Sequence, residues 1–144
     1  MKFSTRNSMI RVVFDTNILI SALLSVGSPP FLCLDLAKRD LIQSITCRDI
    51  LDEFHEKLRT KFRYSSDRAT TACQDFRQYS EIINITNQLQ VVEQDSDDDM
   101  IIECAVLGKA DYIVTGDRHL LSMQSYQNII ILKAREFLDH RELF

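Results

Sequence analysis

Residues 9–24 read MIRVVFDTNILISALL. The first half is a short, apolar, β-branched run that stops at Asp15. From Asn17 onward, apolar residues fall on most sides of a helical projection. A buried strand handing directly to a buried helix is the opening of an α/β unit, and a strand without polar–apolar alternation belongs to a sheet covered on both faces.

The same grammar continues along the chain. GSPP (27–30) breaks the first helix and offers proline to start the next, PFLCLDLAKRD (30–40). LIQSIT (41–46) reads as a second strand, RDILDEFHEKLRTKF (48–62) as a third helix and DRATTACQDFRQYSEII (67–83) as a fourth. A further strand or extended piece is expected within 83–93. SDDDMIIECAVLGK (96–109) reads as helix, ADYIVTGD (110–117) as a strand ending in a turn, and RHLLSM (118–123) as a helical turn. NIIILK (128–133) and AREFLDHRELF (134–144) complete the series as strand and helix. The pattern predicts a single α/β domain, a three-layer α/β/α sandwich around a parallel sheet. Residues 1–9 are expected to form a flexible extension and 10–144 the domain.

Bulk composition narrows the possibilities. A chain of 144 residues buries an adequate core without disulfides or structural metals. Cys33, Cys47, Cys73 and Cys104 form no C-x-x-C pair and have no histidine at zinc-finger spacing, so they read as mostly buried, reduced thiols of a cytoplasmic protein. No apolar stretch is long enough to span a bilayer. The net charge of −4 argues against wrapping nucleic acid through overall positive charge, though not against a local acidic site beside a basic patch.

In open parallel sheets, functional groups gather where strands end and the following helices begin. Asp15 ends one strand and Asp117 follows another. Residues 95–100, DSDDDM, place four aspartates at the same kind of junction. On a wheel of about 100° per residue, Ile101, Ile102 and Ala105 define a buried stripe. Asp98 lies near its middle, Asp97 and Asp99 on the two flanks, and Glu103 nearly opposite. Ser96 with Asp99 has capping-box spacing. Asp98 is therefore expected to face the sheet edge, with Asp97 and Asp99 solvent-facing or capping. In RDILDEFHEKLRTKF, Glu53 is the acid closest to the face formed by Ile50, Leu51, Phe54 and Leu58.

Each of these acids has an ordinary explanation when taken singly. Asp15 can cap a helix, Asp98 can serve a helix dipole, Asp117 can shape the TGDRH turn, and Glu53 can pair with Lys57 at i+4. Four of them at one sheet edge is a different matter. Clustered carboxylates at partial burial are unfavourable without a counter-charge, and a hard divalent cation with oxygen ligands resolves the conflict. Such an ion, Mg²⁺ or Mn²⁺, is a natural catalyst of phosphodiester hydrolysis. Lys57, Arg59, Lys61 and Arg63 interleave with aromatics in KLRTKFRY (57–64) and could track a phosphate backbone, as could Arg118, although a solvated helix end is an equal reading. His55, His119 and His140 have no evident partners and read as surface residues. No phosphate-binding glycine loop is present.

VVFDTNILISALL, ILDEF and DSDDDMIIECAVLGKADYIVTGDRHLL together resemble the three motif blocks of the PIN (PilT N-terminus) domain, most closely its stand-alone branch of toxin components from prokaryotic toxin–antitoxin pairs (VapC-like). The resemblance extends from about Ile10 over essentially the whole chain. It implies a Mg²⁺- or Mn²⁺-dependent ribonuclease with Asp15, Glu53, Asp98 and Asp117 as its acids. Asn17 and Thr115 match polar positions that orient ligands or water. It also implies a small antitoxin partner and self-association as a homodimer or higher oligomer. The chain departs from that branch at Cys47, where serine is common as a helix cap, and in lacking a proline after the first aspartate of DSDDD. A non-catalytic PIN module binding RNA or a partner protein is the alternative. A receiver-like signalling domain is disfavoured, because VVFDTN carries one acid where a pair is needed and the late strand ADYIV leads into TGDRH. An Asp-x-Asp phosphatase fails similarly, because Asn17 occupies the second acid's place.

Overall fold

The computed structural model describes residues 9–86 and 96–140. The expected N-terminal extension, apart from Met9, lies outside them, as do most of the 83–93 segment and the last four residues of the C-terminal helix. The elements run β1 (Arg11–Phe14), α1 (Thr16–Leu24), α2 (Pro29–Lys38), β2 (Gln43–Cys47), α3 (Arg48–Thr60), α4 (Ser66–Gln78), β3 (Ser80–Ile83), α5 (Ser96–Leu107), β4 (Tyr112–Val114), α6 (Arg118–Met123), β5 (Ser125–Tyr126), β6 (Ile129–Leu132) and α7 (Ala134–Leu138).

The strands form one sheet in the order β3-β2-β1-β4-β6-β5. All pairings are parallel except β5 with β6. Val12, Val13 and Phe14 on β1 are all fully buried. Successive strand residues point to opposite faces, so this run requires cover on both sides of the sheet. Helix α5 lies against β1, β2 and β4, while α1 packs between α2 and α3, and α3 against α4. The result is the single α/β sandwich expected from the sequence.

From β1 the chain steps outward through β2 to β3, and from β4 it steps the other way to β6. The order therefore reverses between β1 and β4. A crevice opens at the carboxyl ends of adjacent strands at such a reversal.

Two local expectations are corrected. Ser80–Ile83, assigned from the sequence to the end of the fourth helix, is instead the edge strand β3. Phe76, Tyr79 and Ile83 keep helical spacing, but α4 stops at Gln78 and Ser80 turns into parallel pairing with β2, where its hydroxyl meets that of Ser44 at 2.8 Å. The two-residue strand β5 was not expected. It forms a hairpin with β6 through Gln127 and Asn128, both at positive φ (48° and 70°), the backbone of a type I′ turn without glycine.

Gly108 shows how closely α5 is seated. A Cβ there would meet Ile45 Cγ2 at 2.6 Å and the Cys104 carbonyl oxygen at 2.9 Å. Only a residue without a side chain lets the end of α5 approach β2 this closely.

Candidate metal centre at the β1–β4 crevice

The backbone brings the acids to the reversal point. Asp15 N donates to Val114 O at 3.0 Å, and Thr115 N donates to Leu132 O at 3.0 Å, so each strand's hydrogen bonding continues one residue past its end. Asp15 and Thr115 consequently sit side by side. The Thr115 hydroxyl donates to Asp15 Oδ2 at 2.7 Å and accepts from Asp117 N at 3.0 Å. One buried threonine thus ties the acid after β1 to the loop that carries the acid after β4.

Asp15 stands at the N-cap of α1, but its side chain makes no cap hydrogen bond. Its carboxylate is held in the crevice instead, only 7% exposed. Burial pushes its pKa above the ordinary 3.8. The Thr115 hydrogen bond opposes this, nearby Glu53 adds to the rise, and Lys57 offsets it in part. Asp117, by contrast, does cap its helix. Its Oδ1 accepts from His119 N at 2.8 Å and Leu120 N at 3.1 Å.

Glu53 comes from α3. The Thr16 hydroxyl donates to its Oε1 at 2.6 Å, and Lys57 Nζ stands 3.6 Å from its Oε2 and 3.4 Å from Asn17 Oδ1. Cys47 caps α3 without a side-chain hydrogen bond, yet the helix starts at Arg48 and still delivers Glu53 to the pocket. Lys57 is the basic residue of KLRTKFRY that reaches the acids; Arg59, Lys61, Arg63 and Arg118 are exposed at the surface.

Asp98 enters from the first turn of α5 and is 5% exposed, as the wheel predicts. Asp99 and Glu103 correct that projection, because both are buried at 9% and 5% exposure. The wheel assumes one buried stripe, whereas α5 is covered on a second side. There Glu103 Oε2 accepts from Thr86 N at 2.8 Å and Thr86 Oγ1 at 2.7 Å. The side chains of Ser96 and Asp97 lie outside the described residues, and the expected capping box with them.

A further correction concerns His119. It is at the surface as expected, but not isolated: a ring nitrogen and one carboxylate oxygen each of Asp98 and Asp117 lie within 4.8 Å of one another. The crevice therefore has two lobes. Asp15, Glu53, Asn17 and Lys57 make one, Asp98, Asp117 and His119 the other, and Thr115 bridges them. Thr16 and His119 were missed in the sequence. The DTN run, with a hydroxyl directly after the strand-end acid, was the available signal for Thr16.

The raised pKa of Asp15 fixes the sign of a stability effect. A carboxyl whose folded pKa exceeds its unfolded value contributes stability that is fully present below the unfolded value and is lost as pH rises through the folded one. At neutral pH, without a cation, ionised Asp15 thus opposes folding. Asp15→Asn is expected to melt a few degrees above wild type at pH 7 in chelator, with the gap closing on acidification. Thermal melts of both proteins from pH 4 to 8 check this, and a variant that melts below wild type at pH 7 would contradict it.

A family model of the PIN domain matches residues 11–119. The chain belongs to the PIN domain family. Uncharacterized protein MJ1680 of Methanocaldococcus jannaschii is 34% identical over 148 residues, with 94% of each chain covered. Among solved structures, this PIN domain is similar in fold to VapBC2 from Rickettsia felis bound to a DNA fragment from their promoter. The TM-score is 0.60 at 17% identity, covering 85% of this chain and 97% of that one. PAE2754 from Pyrobaculum aerophilum superposes with a TM-score of 0.59 at 12% identity, over 94% and 99% of the two chains. Among the described residues of this PIN domain, no single helix is long and apolar enough to cross a membrane.

Proposed function

We propose that this PIN domain is a Mg²⁺- or Mn²⁺-dependent endoribonuclease, the toxin of a toxin–antitoxin pair acting in the cytoplasm. The observation that carries the reading is that Asp15 beside Glu53, and Asp98 beside Asp117, form two acidic groups joined through Thr115 at the crevice where the strand order reverses. The donor set fits the ion: carboxylates are hard oxygen ligands, and two of them, Asp15 and Asp98, are buried where a negative charge most needs compensation.

Asp15, Asp98 and Glu53 would hold a divalent cation directly or through water, with Asp117 completing the site or binding a second ion, and the cation would supply Lewis acidity and an activated water for phosphodiester hydrolysis. Thr115 fixes the Asp15 carboxylate, and Thr16 fixes that of Glu53. Asn17 stands beside Lys57, whose ammonium lies between it and Glu53 and would meet a phosphate oxygen of a bound RNA. Arg59, Lys61, Arg63 and Arg118 supply positive charge along the path of an RNA backbone. The fold likeness to the VapBC2 complex supports a small antitoxin as partner; self-association into a homodimer or higher oligomer is part of the same proposal.

The test is incubation of purified protein with a mixed pool of single-stranded RNA, with Mg²⁺, with Mn²⁺ and with chelator. Cleavage confined to the cation-containing reactions is expected. RNA retained by the protein but left intact under all three conditions would replace the nuclease with a non-catalytic RNA-binding module.

A further inference from the structure

We propose that His119 ligates the cation through a ring nitrogen, beside Asp98 and Asp117, and that this nitrogen tilts the site toward Mn²⁺ over Mg²⁺. The inference rests on the metal-dependent reading above and adds a donor to its carboxylates.

Geometry is the first support. The three donor atoms lie within 4.8 Å of one another. Around an ion with bonds of about 2.1 Å, ligand atoms stand roughly 3 Å apart when adjacent and about 4.2 Å apart when opposite. Closing the gap takes a shift of about half an ångström. The imidazole is free to make it, since its side chain is 60% exposed.

The ring is also not spent elsewhere. Nδ1 lies 3.9 Å from Asp117 Oδ1, beyond hydrogen-bonding reach, and the ring makes no hydrogen bond among the described residues. Its position is nevertheless set. Asp117 Oδ1 holds the first turn of α6 by accepting from the His119 and Leu120 amides, so imidazole and carboxylate are carried on one short, capped segment. That segment is attached to Asp15 through Thr115.

Chemistry supplies the selectivity. Mg²⁺ strongly prefers oxygen and dehydrates reluctantly, whereas imidazole suits transition metals, and Mn²⁺ accepts mixed nitrogen and oxygen donors. A site of carboxylates alone discriminates little between the two ions. One imidazole added to it favours Mn²⁺.

The test uses the full chain, wild type and His119→Gln, loaded with Mn²⁺. Pulsed electron paramagnetic resonance detects nitrogen-14 coupling from a directly bound imidazole, and titration gives affinities for Mn²⁺ and Mg²⁺. Nitrogen modulation is expected in wild type and not in His119→Gln. The variant should bind Mn²⁺ about tenfold more weakly, with Mg²⁺ affinity changed less than about twofold. Its melting temperature in chelator should match wild type, which separates ligation from a structural role. Mn²⁺ binding that is lost in Asp98→Asn yet shows no nitrogen coupling and no response to His119→Gln would overturn this inference and leave the carboxylate site standing. A wild-type protein that binds no Mn²⁺ would overturn both.

Discussion

Asp98→Asn is expected to lower cation-dependent RNA cleavage by at least about 10³-fold, a loss of roughly 4 kcal/mol in transition-state stabilisation. The substitution keeps the shape of the side chain and removes its charge. Asp98 is buried in the first turn of α5, with Ile101 and Ile102 behind it in the core, so the carboxylate cannot be replaced by a neighbour swinging inward. Asp99 is the nearest acid in sequence, and it is itself buried at its own position. The melting temperature in chelator should stay within a few degrees of wild type, because nothing of the packing changes. Activity at the wild-type level in a folded Asp98→Asn protein would remove Asp98 from the site.

Phe14→Ala should have the largest effect on stability, about 3–5 kcal/mol. Phe14 is fully buried on β1, which lies between β2 and β4 in the middle of the sheet. Helices press on both faces, so the surroundings have little freedom to collapse into the cavity. Against a total stability of about 5–15 kcal/mol for a domain, that is a large fraction. Denaturant unfolding measures it, and a loss below about 1 kcal/mol would mean that the residue is not packed as described. The same substitution should weaken cation binding, because Phe14 anchors the strand end that presents Asp15 and aligns it with Val114.

These two residues also illustrate what could be read in advance. The central strands were legible because burial on both faces demands unbroken apolar runs rich in β-branched residues, as in Val12–Phe14 and Tyr112–Val114. An edge strand carries no such demand. In β3, Glu81 and Ile82 are exposed, so Phe76, Tyr79 and Ile83 could keep a helical rhythm across a boundary that only pairing with β2 creates. The turn at Gln127 and Asn128 was silent because it adopts positive φ without the glycine that usually marks it.

The four acids were legible for a related reason. Strand ends and helix starts in a parallel sheet share one edge, which marks Asp15 and Asp117 from element order, and the apolar faces of α3 and α5 then select Glu53 and Asp98. What escaped was anything fixed by contacts between elements. Thr16 meets Glu53 across 37 positions, Glu103 is buried by Thr86, and His119 acquires significance only when α5 places Asp98 beside it. A single-helix projection sees none of these.

Cation binding tests the central claim most directly, because it interrogates the crevice without requiring the right RNA. Calorimetric titration of Mn²⁺ into the metal-free chain should give saturable binding of at least one ion, abolished in Asp98→Asn and in Asp15→Asn. Absence of saturable binding at millimolar Mn²⁺, or binding that persists unchanged in both variants, would contradict the assignment of this crevice as a metal centre.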